Sequence, residues 1–211
     1  PEGPFIPQPD PMRGSYSIDP AVLNDGDGNY YMYFGGLWGG QLQRYRDNKA
    51  LESGATFPAD NEPSIPGRVA KLSVDMLQFA EEPKAVVILD ENGQPLTAGD
   101  NERRFFEASW MHKYNGKYYL SYSDNHDDGE KHNRMCYAIS DSPLGPWEYK
   151  GIYMEPTDSY TNHGSIVEFK GQWYSFYHNS ALSGHDWLRS ICVDKLYYNP
   201  DGTIKMVKQT K

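Results

Sequence analysis

Three ionisable residues of different type stand at matching places in front of three related strings. The strings are Gly28-Asn29-Tyr30-Tyr31-Met32-Tyr33, Gly116-Lys117-Tyr118-Tyr119-Leu120-Ser121-Tyr122 and Gly171-Gln172-Trp173-Tyr174-Ser175-Phe176-Tyr177. Each is a turn glycine followed by an aromatic-rich strand, and Asp19, Glu107 and His163 lie roughly eight or nine residues upstream of those glycines. Strand–turn–strand units repeated in register deliver equivalent positions to equivalent places, so two carboxyls and an imidazole are expected to converge. Paired carboxyls in unlike surroundings are the equipment of general acid and base work.

Asp19 and Glu107 both interrupt apolar runs, where a carboxylate is costly to desolvate unless it has a task or a partner. Phe105, Phe106 and Trp110 around Glu107 would raise its pKa by desolvation, and an Asp19 anion nearby would raise it further, which keeps a general acid protonated near neutrality. A strand-edge acid closing a turn is the competing role, and repetition in register argues against it. His163 is read as a metal ligand, a proton carrier or a substrate contact; with oxygens or waters it would help to hold a hard cation where the three positions converge. Arg189 opens a strand, where its fork would hold sugar hydroxyls or a carboxylate, or simply form a structural ion pair. Trp38 and Trp110 are either sugar platforms or core residues.

The elements that must position these groups are short strands. Alternating or aromatic runs are predicted at 17–23, 30–35, 68–72, 85–89, 105–114, 117–123, 134–140, 164–169, 173–178 and 189–196, separated by turn signals such as Asn115-Gly116 and Lys170-Gly171. No stretch sustains a 3.6-residue apolar period, so the chain is all-β. The long-period repeat favours a β-propeller, whose blades are four-stranded units of ~40 to 60 residues. About three blades are expected, at about 15–104, 105–156 and 157–211, with polar insertions around 46–66 and 91–104 as surface loops. Pro143-Leu144-Gly145-Pro146-Trp147 matches Pro1-Glu2-Gly3-Pro4-Phe5, so residues 1–14 read as the tail of a preceding blade.

A formal net charge of −9 with no long basic run argues against nucleic acid and anionic membrane surfaces. No apolar stretch approaches the ~20 residues of a bilayer span. A neutral partner suits the charge, and 17 tyrosines with 5 tryptophans suit both short strands and stacking on sugar faces. Cys136 and Cys192 lie in apolar strand-like runs and are read as free thiols. Asp25-Gly26-Asp27-Gly28-Asn29 and the run 124–129 lack the twelfth-position glutamate of a calcium loop, and no serine-hydrolase elbow, phosphate loop or His-Glu-x-x-His occurs.

Taken together, Ser17-Ile18-Asp19-Pro20-Ala21-Val22 with Tyr30-Tyr31-Met32-Tyr33-Phe34-Gly35-Gly36, Phe105-Phe106-Glu107-Ala108 with 113–123, and Asn162-His163-Gly164-Ser165-Ile166-Val167-Glu168-Phe169 resemble glycoside hydrolase family 43. The resemblance implies a five-bladed β-propeller that cleaves xylosides or arabinofuranosides with inversion, taking small sugars or xylo- and arabino-oligosaccharides. By motif it makes Glu107 the general acid and Asp19 the residue that tunes the acid's pKa. His163 resembles a histidine near a central calcium, and Arg189 an arginine that contacts the sugar. The family's base aspartate lies upstream of the tuning aspartate, and Asp10 between two prolines is no substitute, so the resemblance implies that the base is missing here and the first blades with it. A second chain supplying those blades, as in a split enzyme, and a non-catalytic carbohydrate-binding propeller are the alternatives to a hydrolase.

Overall fold

The computed structural model describes residues 2–46, 48–130 and 132–210. Fourteen strands among the described residues build three main sheets and a two-stranded ribbon, and no α-helix occurs there. In chain order, the first sheet holds β1 (Ala21–Asn24), β2 (Tyr30–Phe34), β5 (Gly67–Lys71) and β6 (Lys84–Val86), with a short side ribbon of β3 (Tyr45–Arg46) and β4 (Lys49–Ala50). The second holds β7 (Ile88–Leu89), β8 (Glu107–Tyr114), β9 (Lys117–Ser123), β10 (Met135–Ser140) and β11 (Trp147–Met154), in spatial order β7-β11-β10-β9-β8. The third holds β12 (Ser165–Phe169), β13 (Gln172–Asn179) and β14 (Ser190–Leu196).

The three repeated glycines sit where hairpins need positive φ. Asn115 and Gly116 have φ of 47° and 77°, Lys170 and Gly171 have 52° and 78°, and Gly28 has 83°. Positive φ at both central residues gives the twist-matched two-residue turn, which fixes the register of the strands that follow. Pro4 and Pro146 of the second repeated string both follow cis peptide bonds; Pro1 lies outside the described residues.

The second sheet is the middle layer. One face of β9 sends Tyr118, Leu120 and Tyr122 into a core shared with Leu23, Tyr31, Tyr33, Val69 and Phe105 of the first sheet and its flanks. From the other face Tyr119 joins Tyr137, Ile166, Tyr177 and Leu196 in a second core toward the third sheet. Strict alternation therefore lets one strand serve two interfaces. Two of the buried phenols donate to loop carbonyls: Tyr33 to that of Pro143 at 2.6 Å, and Tyr122 to that of Arg103 at 2.6 Å. Cys136 is buried and Cys192 half-buried, both as free thiols.

Several strands differ from the sequence reading for local reasons. The run 17–23 becomes strand only from Ala21, because Asp19 has φ 57°. The run 105–114 starts pairing at Glu107, and Ala108 at φ 61° makes a bulge between Glu107 and Trp110. The run 85–89 splits: β6 closes the first sheet, and β7 pairs in parallel with β11 at the edge of the second. No alternating pattern foretells β11, since Gly151 (φ 131°) and two register shifts break its period. Among the described residues no helix is long and apolar enough to cross a membrane.

Candidate active site

All three main sheets have the same two ends. Glu107 is paired with Ser123, and Ser123 with Met135, so the start of β8, the end of β9 and the start of β10 lie together. Long connections leave from this end: 35–66 after β2, 124–134 after β9, 155–164 after β11 and 180–189 after β13. The opposite end carries the tight turns. β8 touches β1 and β2 on one side and β12 on the other, so its first residue looks onto all three sheets.

Glycines make that convergence possible. A Cβ on Gly36 would stand 2.7 Å from the Ile18 side chain and 3.3 Å from the Glu107 Cβ, and one on Gly40 would stand 2.7 Å from Ile18. The loop that begins there is stapled to both strand starts: Gly35 N–H donates to the Ile18 carbonyl (2.8 Å), Gly36 N–H to Ser17 Oγ (3.0 Å) and Leu37 N–H to the Phe106 carbonyl (3.0 Å). Ser17 Oγ in turn donates to the Gly40 carbonyl at 2.9 Å. Further out, buried Arg68 anchors the same loop by donating from Nε to Tyr16 Oη at 2.9 Å, and that hydroxyl donates to Asn48 Oδ1 at 2.6 Å.

Asp19 Oδ2 accepts the Ala108 N–H at 2.9 Å, which fixes its carboxylate beside the backbone that carries Glu107. Positive φ at both Asp19 and Ala108 aims these groups out of the ladders; non-glycine residues hold that conformation only where their surroundings enforce it. The Glu107 carboxyl is pushed up to about 7, chiefly by burial and then by the Asp19 charge, with Arg189 pulling the other way. At neutral pH a substantial fraction of Glu107 is therefore protonated while it faces a solvent-reachable end of the molecule.

His163 joins this pair, its Nδ1 3.9 Å from Asp19 Oδ1. Arg189 is exposed, donates from Nε to the Asp186 carbonyl (2.8 Å), and lies 5.9 Å from the centroid of the Trp187 ring. Its charge acts on both Glu107 and His178, which sets it on the same side as the acid. Trp38 stands on the stapled loop, 60% exposed, with its ring 5.0 Å from that of Phe57. Trp110 is differently employed: its indole Nε1–H donates to the Ile166 carbonyl at 2.9 Å, and its ring packs against the second core.

Two residues escape sequence reasoning. His178 shares a hairpin with His163, and its Nε2 lies 3.0 Å from the Thr161 carbonyl; burial first, then Arg189, depress its pKa. The register about the Lys170-Gly171 turn, which sets 165 opposite 176, was the available signal. Phe57 sits in a polar insertion with no period, so nothing in the chain marks it as Trp38's neighbour.

A hard cation such as calcium takes six to eight oxygens. One imidazole and one carboxylate already bound to an N–H do not make that set, and among the described residues no three His, Cys, Asp or Glu side chains gather closely enough to hold a metal. A site made by His163 with main-chain oxygens or waters, as the sequence reading has it, needs no such cluster.

The family model for glycosyl hydrolases family 43 matches residues 1–204. The chain belongs to this family. A xylosidase/arabinosidase of Bacteroides ovatus is 64% identical over 205 residues, covering 97% of this chain and 61% of that protein. A solved structure of RS223-Beta-xylosidase superposes with a TM-score of 0.92 at 57% identity, covering 100% of this chain and 64% of that one. The GH43_1 enzyme from Xanthomonas citri, solved with xylotriose, gives 0.90 at 52% identity, covering 97% of this chain and 60% of that one. This family 43 chain thus spans about three fifths of the length of the relatives it matches.

Proposed function

We propose that the protein carrying this chain hydrolyses the O-glycosidic bonds of xylan-derived sugars, as a β-xylosidase or α-L-arabinofuranosidase, and that the three sheets are successive blades of a five-bladed β-propeller. The observation that carries the reading is a half-buried glutamic acid held near a pKa of 7 by burial and by an aspartate fixed beside it. Glu107 gives its proton to the departing glycosidic oxygen, the step that a carboxyl already protonated at neutral pH performs best. Asp19 stays bonded to the Ala108 N–H, keeps the acid's pKa up by its charge, and so acts as a positioning and tuning residue. His163 and Arg189 border the same space, where an imidazole and a guanidinium suit sugar hydroxyls. The exposed Trp38–Phe57 pair supplies an apolar face for a pyranose ring.

An inverting displacement also needs a base on the opposite face of the sugar, about 6.5 to 9.5 Å from the acid. No residue of this chain is assigned that role; further blades, in the same polypeptide or in a second chain, are the proposed source. Relatives named xylosidase/arabinosidase and a neighbour solved with xylotriose support the choice of sugar.

The test is hydrolysis of aryl xyloside, aryl arabinoside and xylobiose by the whole protein and by its Glu107→Gln variant, with sugar binding followed calorimetrically. Loss of turnover with retained binding is expected. Binding by both forms with no turnover by either would replace the hydrolase with a carbohydrate-binding propeller.

A further inference from the structure

Beyond the Trp38–Phe57 pair, a second aromatic pair stands on the same end of the molecule and takes no part in the mechanism above. The rings of His132 and Tyr160 lie 4.5 Å apart at 48°, and Tyr160 is 55% exposed. His132 belongs to the loop 124–134 and Tyr160 to the loop 155–164, both of which leave from the Glu107 end of the second sheet. His132 precedes the start of β10, two strands out from β8. At ~4.8 Å between neighbouring strands, that start lies roughly 10 Å to the side of Glu107.

The pair is held in place although Tyr160 faces solvent and His132 is partly exposed. His132 Nδ1 is 3.2 Å from Asp127, and the two residues also close an antiparallel bridge. The Tyr160 N–H donates to Asp186 Oδ1 at 3.0 Å, and Ser180 Oγ donates to the Asp158 carbonyl, which together bind the 155–164 loop to the one that bears Arg189. Neither Tyr160 Oη nor His132 Nε2 has a hydrogen-bond partner among the described residues. Aromatic faces on loops tied down by these contacts, each with an unused polar edge, match a ligand that is apolar on its ring faces and rich in hydroxyls at its rim. Asp127, Asp128, Glu130, Asp158 and Asp186 crowd these two loops and the neighbouring one, so an anionic partner is repelled and a neutral one accepted.

We infer that His132 and Tyr160 form a distal sugar platform, which takes the third and later units of a neutral xylo-oligosaccharide whose first two units occupy the space between Glu107 and Trp38. The inference rests on the glycoside reading of the Glu107 site. It makes chain length, rather than the scissile bond, the quantity this pair controls.

Tyr160→Ala and His132→Ala in the whole protein should raise KM for xylotriose about threefold to tenfold, as loss of one stacking face does. Kinetics on xylobiose and aryl xyloside should not change, nor should kcat. Tyr160→Trp should restore the xylotriose KM. Titration of xylotriose into a Glu107→Gln background provides a reading independent of turnover: if no glycoside is hydrolysed and xylotriose still binds in a Tyr160-dependent way, the hydrolase reading fails and the platform stands. Equal effects on xylobiose and xylotriose, no effect on either, or a general loss of thermal stability with Tyr160→Ala would overturn the platform and make Tyr160 a packing residue.

Discussion

The two ends of the three sheets are closed by opposite means. At one end Asn115-Gly116 and Lys170-Gly171 turn the chain in two residues, with left-handed φ and open space around the glycines. At the other end connections of ten residues or more carry the exposed aromatics Trp38, Phe57 and Tyr160. Left-handed φ occurs at both ends with different uses. In the turns it satisfies hairpin geometry, and at Asp19 and Ala108 it aims a carboxyl. Register is set at the turn end, and Asp19, Glu107 and His163 gather at the loop end of the same strands. Sites carried by loops on a rigid scaffold follow that division generally.

The contrast can be broken most forcefully at its acid. Glu107→Gln should lower kcat on xylobiose by about a thousandfold in the whole protein, since a positioned general acid contributes 10²–10⁴. A fold here of less than ten, measured by xylose release, would remove the acid from the loop end. The same substitution should stabilise the fold above neutrality. A carboxyl whose pKa is raised on folding adds stability below its unfolded value, and that stability is lost as pH rises through about 7, so the charge-free variant gains on the alkaline side.

Next in size is a pH effect that belongs to packing. His112 is fully buried, its pKa depressed to about 3 by desolvation, with Nε2 2.7 Å from Tyr198 Oη among the rings of Tyr119 and Trp173. A histidine held neutral in the fold contributes stability above its unfolded pKa and loses it as pH falls. Between about 6.5 and about 3, then, the His112 contribution is lost, by on the order of 3 kcal/mol at pH 4, against the opposite and similar contribution of Glu107. Urea melts at pH 7 and 4 of the protein and of His112→Gln measure this: relative to the protein, the variant should gain about that much on going from pH 7 to pH 4, without moving the activity profile.

Gly36→Ala and Gly116→Ala sharpen the comparison between the ends. At Gly36 the new methyl meets Ile18 at 2.7 Å, so the segment bearing Asp19 must shift; a cost of about 2 kcal/mol with lowered kcat is expected. At Gly116 the methyl meets nothing within 4 Å, and only the left-handed φ of 77° opposes it. About 1 kcal/mol is expected there, with kcat untouched. Equal losses of activity from both would erase the distinction.

Much of this was legible in the sequence because a repeat states the same fact three times. The glycine-led aromatic strings located β2, β9 and β13, and their spacing singled out Asp19, Glu107 and His163, which the structure does bring together. The all-β class and a Glu107 whose pKa is raised by burial and by Asp19 were readable for the same reason. What stayed hidden depends on departures from period. β11 is interrupted by a glycine and two bulges, and β7 leaves one sheet for the next. Phe57 meets Trp38 only through the fold of a polar loop, and Trp110, alike in type to Trp38, is held against the core by its bond to Ile166. Residue type alone does not separate an exposed tryptophan from a packed one; the direction in which the backbone sends it does.

The most direct test of the coupling between Asp19 and Glu107 is a carbon-13 NMR titration of the Glu107 carboxyl in the protein and in its Asp19→Asn variant. An apparent pKa near 7 that falls on removing the Asp19 charge is the expected result. A Glu107 that titrates near 4.5 in both proteins would contradict the account.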